Sequence, residues 1–178
     1  MSTLIVAATR AEAVHLPGTI ASVITGIGKT AAAVGVSRYL ARHPEVTEVV
    51  NIGSAGALRD GLDGIHEVGQ VLNHDMSADL IRSMGYDARE WLTVGESGVL
   101  LASGDTFVAD QATRARLAEV AHLVDMEGYA VAWAAEAFDV PVRLVKHVSD
   151  HADEGSMDWP SLVDVSARAL AEWVSEHL

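Results

Sequence analysis

The sequence predicts an α/β layered fold on a mostly parallel sheet, in one domain spanning residues 1–178. Three observations lead there. Short apolar, β-branched runs alternate along the chain with longer segments of helical period. Several of the runs end on a small or acidic residue, and open α/β sheets bind ligands beyond the carboxyl ends of their strands. The composition is 49% apolar, which excludes a disordered chain; no repeat, low-complexity tract or linker divides it, and the length suffices for a real core.

The elements follow in order. Thr3–Ala8 (TLIVAA) reads as a buried strand ending in Thr9-Arg10-Ala11-Glu12, and His15-Leu16-Pro17-Gly18 as a turn. A second strand, Ile20–Thr25, runs into Gly26-Ile27-Gly28-Lys29-Thr30 and an alanine-rich helix to about His43. Gly28-Lys29-Thr30 has the ending of a phosphate-binding Walker loop, but the glycine required five residues earlier is Val23, so the segment reads as a plain strand-to-helix turn. The small side chains Ala31, Ala32, Ala33 and Gly35 suit close packing of this helix on a sheet. After Pro44, Val46–Ile52 is a third strand leading into Gly53-Ser54-Ala55-Gly56-Ala57. Glycines flanking a serine at a strand end let the backbone approach a ligand and offer it N–H donors, although a tight turn explains them equally well. Val68–His74 reads as another strand; Asp75–Asp87 shows no assignable period. Gly98–Ala102 is a short strand ending in Ser103-Gly104-Asp105-Thr106-Phe107, and Asp110 N-caps a helix to Ala121.

The segment His122–Asp153 organises the rest. An apolar run ends in Asp125-Met126-Glu127, and a helical stripe follows at Met126, Tyr129, Ala130, Trp133, Ala134, Ala137 and Phe138. Asp139-Val140-Pro141 closes it, and the strand Val142–Val148 ends in Ser149-Asp150. Two carboxylates, Glu127 and Asp150, thus arrive at strand ends. A last helix covers Asp158–His177, with Trp159, Leu162, Val163, Ser166, Leu170, Trp173 and Val174 as its buried face.

Composition narrows the partners. A formal charge of −13 makes the chain a poor ligand for a nucleic-acid backbone. No apolar run reaches the ~18 residues of a membrane span, and no basic leader precedes the first strand. With no cysteine, disulfides and thiolate metal sites are ruled out, which fits a cytoplasmic protein. His147 and His151 lie four apart near Asp150 and Asp153, but His147 falls in a strand pattern and the glutamate of a zinc-hydrolase helix is missing, so no metal is expected.

Taken in order, Ile5–Ala8 with Glu12, TGIGKTAAA (25–33), VVNIGSAGAL (49–58), VGQV (68–71), ASGDTFV (102–108), DMEGYA (125–130) and VSDHAD (148–153) resemble the purine nucleoside phosphorylase/nucleosidase family, above all its 5'-methylthioadenosine/S-adenosylhomocysteine nucleosidases. The resemblance implies a three-layer α/β/α sandwich with a central mixed, partly closed sheet, and cleavage of the N-glycosidic bond between purine and ribose. It implies no cofactor, a small-molecule purine nucleoside as substrate, and a homodimer. By position, Asp150 would serve the purine N7 as acid and Glu12 would take a proton from the attacking water. Glu127, beside Met126, would bind ribose hydroxyls, and Ser54 would lie near sugar and water. Phe107 would stack on the base, Val108 would offer it main-chain groups, and Ser149 would support Asp150. Lys146, where the nucleosidases usually carry arginine, would help to position the ribose as a point charge rather than a fork of donors.

Two further departures from the family pattern are a short segment, 13–22, after Glu12, where the family has a longer hairpin, and Ala57 in place of a common glycine. The phosphorylases grip phosphate with an arginine two residues before the Gly-Ser pair; here that residue is Asn51, and Arg10 is the one basic residue near the first strand. Water is therefore the expected nucleophile. Phosphorolysis, futalosine hydrolysis and nucleoside binding without turnover are the alternatives.

Overall fold

The structure, a computed structural model, describes residues 2–153, 156 and 159–178. Strands β1 (Thr3–Ala7) and β2 (Ser22–Ile24) precede helix α1 (Lys29–Leu40) and the long strand β3 (Glu48–Ala57). Then come β4 (Ile65–Glu67), β5 (Gln70–Asn73), α2 (Ala78–Ser83), β6 (Trp91–Thr93), β7 (Leu100–Ser103) and α3 (Gln111–Ala118). The chain ends with β8 (Leu123–Asp125), α4 (Gly128–Glu136), β9 (Val142–Asp150) and α5 (Trp159–His177). The expected start of the last helix, Asp158, lies outside the described residues.

The sheet is mixed, with most of its strand pairs parallel as expected. Its main path runs β2-β1-β3-β8-β7-β5-β6, with β9 on β3 and β4 on β9. The pairs β3–β8, β4–β9 and β5–β6 are antiparallel and the others parallel. The sheet forks at β3 and is not closed. Residues 48–51 of β3 pair with β1, 49–56 with β9, and 56–57 with β8.

Helices cover both faces. Along β1, Leu4 and Val6 pack with Val36 of α1 and Val131 of α4, while Ile5 and Ala7 pack with Leu170 and Val174 of α5. Period-two alternation between two buried faces is why this strand carries no polar position after Thr3. Gly35 answers to the expected close packing: a Cβ there would lie 2.8 Å from Thr25 Cγ2, so α1 seats on the end of β2 only without a side chain at that point.

Several boundaries differ from expectation. Gly53–Ala57 continues β3 instead of forming a loop, because β9 and β8 supply backbone partners there. The stretch Val68–His74 does not form one strand. The Val68 N–H bonds Leu144 of β9, the Gly69 N–H bonds Val99, and β5 pairs with β7, so the chain changes partner at Gly69. On α4 the buried surface is broader than the apolar stripe; Val131, Ala132 and Ala135 are buried, whereas Trp133 is 45% exposed beneath the Arg89 guanidinium.

Candidate active site

Glu12, Glu127 and Asp150, 138 positions apart at their extremes, line one cavity of ≈ 120 Å³ at the ends of β1, β3, β8 and β9. Ser54, Phe107, Val108, Met126 and Ser149 line it as well. Each acid is held by local donors.

Glu12 sits 4% exposed in the turn after β1. Its Oε2 accepts from the Thr9 N–H and the Thr9 hydroxyl, each at 3.0 Å, and the Glu12 N–H donates back to Thr9 Oγ1 at 3.3 Å. This is the reciprocal Thr-x-x-Glu box of a helix start, here closing a turn. Oε1 accepts from the Ser54 N–H at 3.0 Å and the Ser54 hydroxyl at 3.1 Å. With two donors on each oxygen, the carboxylate plane is fixed.

Asp150 ends β9. Its Oδ2 accepts from the Ser149 hydroxyl at 2.6 Å, as expected of Ser149. Its Oδ1 accepts from the Ala152 N–H at 2.9 Å and the Ser156 hydroxyl at 2.6 Å. Gly56 makes room for this arrangement: a Cβ there would stand 2.9 Å from Ala152 Cβ and 3.1 Å from Asp150 Oδ1. Both Ser149 and Asp150 reach the cavity because the β3–β9 register shifts by one residue between Ala55 and Gly56.

Glu127 precedes α4 but does not serve that helix's dipole as a cap. Asp125 and Ser103 take that role, accepting from the Gly128 and Tyr129 N–H groups. Glu127 instead reaches the start of α1, where the Gly28 N–H donates to its Oε1 at 2.7 Å. Burial, then the charge of Asp125, push Glu127 up to about 7; the Gly28 N–H and Lys146 work the other way, and Glu12 adds to the rise. The neighbouring Lys29 N–H donates to Asp105 at 2.7 Å, and the Lys29 ammonium bonds Asn73 and Asp75. Protein carboxylates therefore occupy the donors that a Walker loop would give to phosphate.

One expected residue lies elsewhere. Lys146 does not line the cavity. It is 1% exposed, its Nζ 2.8 Å from Asp125 Oδ2 and 2.7 Å from Asn51 Oδ1. It pairs opposite Gly53, three residues down β3 from the Gly56–Asp150 pair, which at a strand rise of ~3.3 Å per residue puts its backbone about 10 Å below that of the acid. Its charge lies beneath the cavity, paired with Asp125. His147 also departs from the metal pattern, since its Nδ1 bonds Ser166 of α5 at 2.9 Å.

Among the cavity residues that the sequence reading did not assign to the site are Thr9, Asp125 and Trp159. Thr9 was legible through its spacing from Glu12. Asp125 shows only as the first acid of the tripeptide and lines the cavity beside its ion pair with Lys146. Trp159 was read as core of the last helix, but it lines the cavity and its Nε1 donates to Ser54 Oγ at 2.8 Å. The lining therefore holds four carboxylates, Glu12, Asp125, Glu127 and Asp150, and no Lys, Arg or His among the described residues. The rest is mainly apolar, with Phe107 47% exposed at the rim. Two fixed carboxylates beside an apolar slot suit acid–base cleavage of a small polar–apolar molecule.

The Phosphorylase superfamily family model matches residues 93–176. Over 189 aligned positions the chain is 31% identical to the 5'-methylthioadenosine/S-adenosylhomocysteine nucleosidase of Glaesserella parasuis serovar 5, covering 87% of this chain and 78% of that one. The chain belongs to the nucleoside phosphorylase/nucleosidase family. As a member of that family it shares its fold with proteins of lower identity. The 5'-methylthioadenosine/S-adenosylhomocysteine nucleosidase of Helicobacter pylori superposes with a TM-score of 0.83 at 22% identity, over 98% of this chain and 96% of that one. A futalosine hydrolase mutant of the same organism gives 0.83 at 21%, over 97% and 96%.

Proposed function

We propose that this chain hydrolyses the N-glycosidic bond of a purine nucleoside of the 5'-methylthioadenosine/S-adenosylhomocysteine type. The observation that carries the reading is the convergence of Glu12, Glu127 and Asp150 on one cavity. Asp150, steadied by Ser149, Ser156 and the Ala152 N–H, supplies the proton or hydrogen bond that purine N7 needs as the C–N bond breaks. Water donates a proton to Glu12 and its oxygen bonds to the sugar carbon; the products are free base and the ribose derivative. Glu127 takes ribose hydroxyls and, when ionised, its charge favours the oxocarbenium-like sugar. Phe107 stacks on the base, and Val108 offers it main-chain groups.

Water is favoured over phosphate by the lining itself. A phosphate dianion requires cationic partners, and the cavity presents carboxylates. Asn51 is engaged with Val6 O and Lys146, and Arg10 is exposed outside the lining. A homodimer belongs to the same proposal, with the exposed rim side chains Ile27 and Phe107 as apolar surface for a second copy to cover.

The test is chromatography of the released base from a panel of purine nucleosides, with and without phosphate. Release without phosphate, lost by a factor of roughly 10² or more in Glu12→Gln and Asp150→Asn, is expected. A phosphate requirement would make the chain a phosphorylase, and binding without release would make it a nucleoside-binding protein.

A further inference from the structure

We infer that Trp159 is a positioning residue for Glu12 and acts through the hydroxyl of Ser54; the inference rests on the hydrolytic reading above. Trp159 begins α5, nine residues after Asp150 and 105 after Ser54, and its indole lines the cavity. Its Nε1 lies 2.8 Å from Ser54 Oγ, which lies 3.1 Å from Glu12 Oε1.

Donor and acceptor capacity set the direction of this chain of bonds. An indole N–H only donates, and a serine hydroxyl has one proton and two lone pairs. Trp159 therefore fills a lone pair of Ser54, and the single Ser54 proton goes to Glu12. Thr9 shows the same device on the other oxygen. There the Glu12 main-chain N–H donates to Thr9 Oγ1, and the Thr9 hydroxyl donates to Glu12 Oε2. Each of the two hydroxyls that grip the carboxylate is thus oriented by an incoming N–H. On the Thr9 side that N–H comes from three residues away, so the turn supplies it automatically. On the Ser54 side it comes from 105 residues away and depends on where α5 begins. The Ser54 main-chain N–H also reaches Oε1, at 3.0 Å, so loss of the indole donor leaves Glu12 bound but lets the Ser54 hydroxyl turn away from it, loosening its grip on Oε1. A base held off its line to water loses turnover more than substrate affinity.

Phenylalanine keeps an aromatic ring and removes the donor. In Trp159→Phe, kcat for base release should fall roughly three- to tenfold, the worth of one oriented hydrogen bond, with KM changed less than about twofold. In a Ser54→Ala background the same substitution should have no further effect on kcat, because the intermediary is gone. Equal factors in both backgrounds, an unchanged kcat, or an effect confined to KM would each overturn the inference and leave Trp159 as wall. A second readout does not need turnover. The indole N–H resonance of Trp159, assigned by its loss in Trp159→Phe, should move upfield and exchange faster with solvent in Ser54→Ala; an unmoved resonance overturns the inference. If the parent releases no base from any nucleoside, the hydrolytic reading fails, and the resonance still decides whether the indole–hydroxyl bond exists.

Discussion

Replacing Glu127 by glutamine tests whether the cavity is assembled at the expense of stability. Burial and the charge of Asp125 push this carboxyl from its ordinary 4.5 up to about 7. The unfolded chain therefore releases the proton near pH 4.5 and the folded chain near pH 7. Between those values the folded state binds more protons than the unfolded one, so stability falls as pH rises through the window. At about 1.4 kcal/mol per pH unit, the penalty grows to about 3 kcal/mol above pH ~8. Glutamine keeps a carbonyl to accept the Gly28 N–H bond and never ionises. The variant should match the parent within about 1 kcal/mol at pH 5 and exceed it by up to about 3 kcal/mol at pH 8.5. For a chain of this length that is a rise of about 6–12 °C in Tm. Urea titrations and thermal melts at the two pH values measure it. A variant equal to or less stable than the parent at pH 8.5 would refute the electrostatic argument. The same variant should bind nucleoside more weakly, since an amide is a poorer acceptor for ribose hydroxyls than a carboxylate.

Two further substitutions test the support of the site. Lys146→Met leaves Asp125 buried without its cation and should cost about 3–5 kcal/mol in urea unfolding; adding Asp125→Asn should recover part of the loss, and a single variant as stable as the parent would show that the ion pair does not hold the floor. Gly56→Ala places a methyl 2.9 Å from Ala152 Cβ and 3.1 Å from Asp150 Oδ1, so stability should drop by about 1–3 kcal/mol and kcat should fall as Asp150 shifts; parent-like melting and kinetics would mean that the loop after β9 yields freely.

The sequence disclosed most of the cavity because its residues follow apolar runs that could be recognised one at a time. Ser54 and Asp150 were expected just beyond strands and instead lie in them, yet they reach the cavity, since β3 and β9 run on together to that end. Lys146 was misplaced for a reason of depth. It belongs to the same strand as Asp150, and only the register with Gly53 shows how far below the acid it lies. Trp159 was misassigned because helical period describes a face and not what the face meets; its polar partner is remote in sequence. Segment 75–87 had no visible period because α2 holds only six residues, too few turns to display one.

The forked sheet explains both the site and its strain. Only a strand with partners on changing sides can bring the end of β1, the end of β9 and the end of β8 around one hollow, and β3 does this by exchanging β1 for β8 along its length. That convergence delivers Glu12, Asp150 and the Asp125–Glu127 pair together, so repulsion among carboxylates is a consequence of the topology. The chain offsets it with one buried ammonium beneath the floor and with N–H and hydroxyl donors on each acid. Among the described residues Glu127 has one such donor, on Oε1, where Glu12 has four and Asp150 three. Burial and the charge of Asp125 hold its proton up to about 7, so pH should act through Glu127 on both folding and ribose binding.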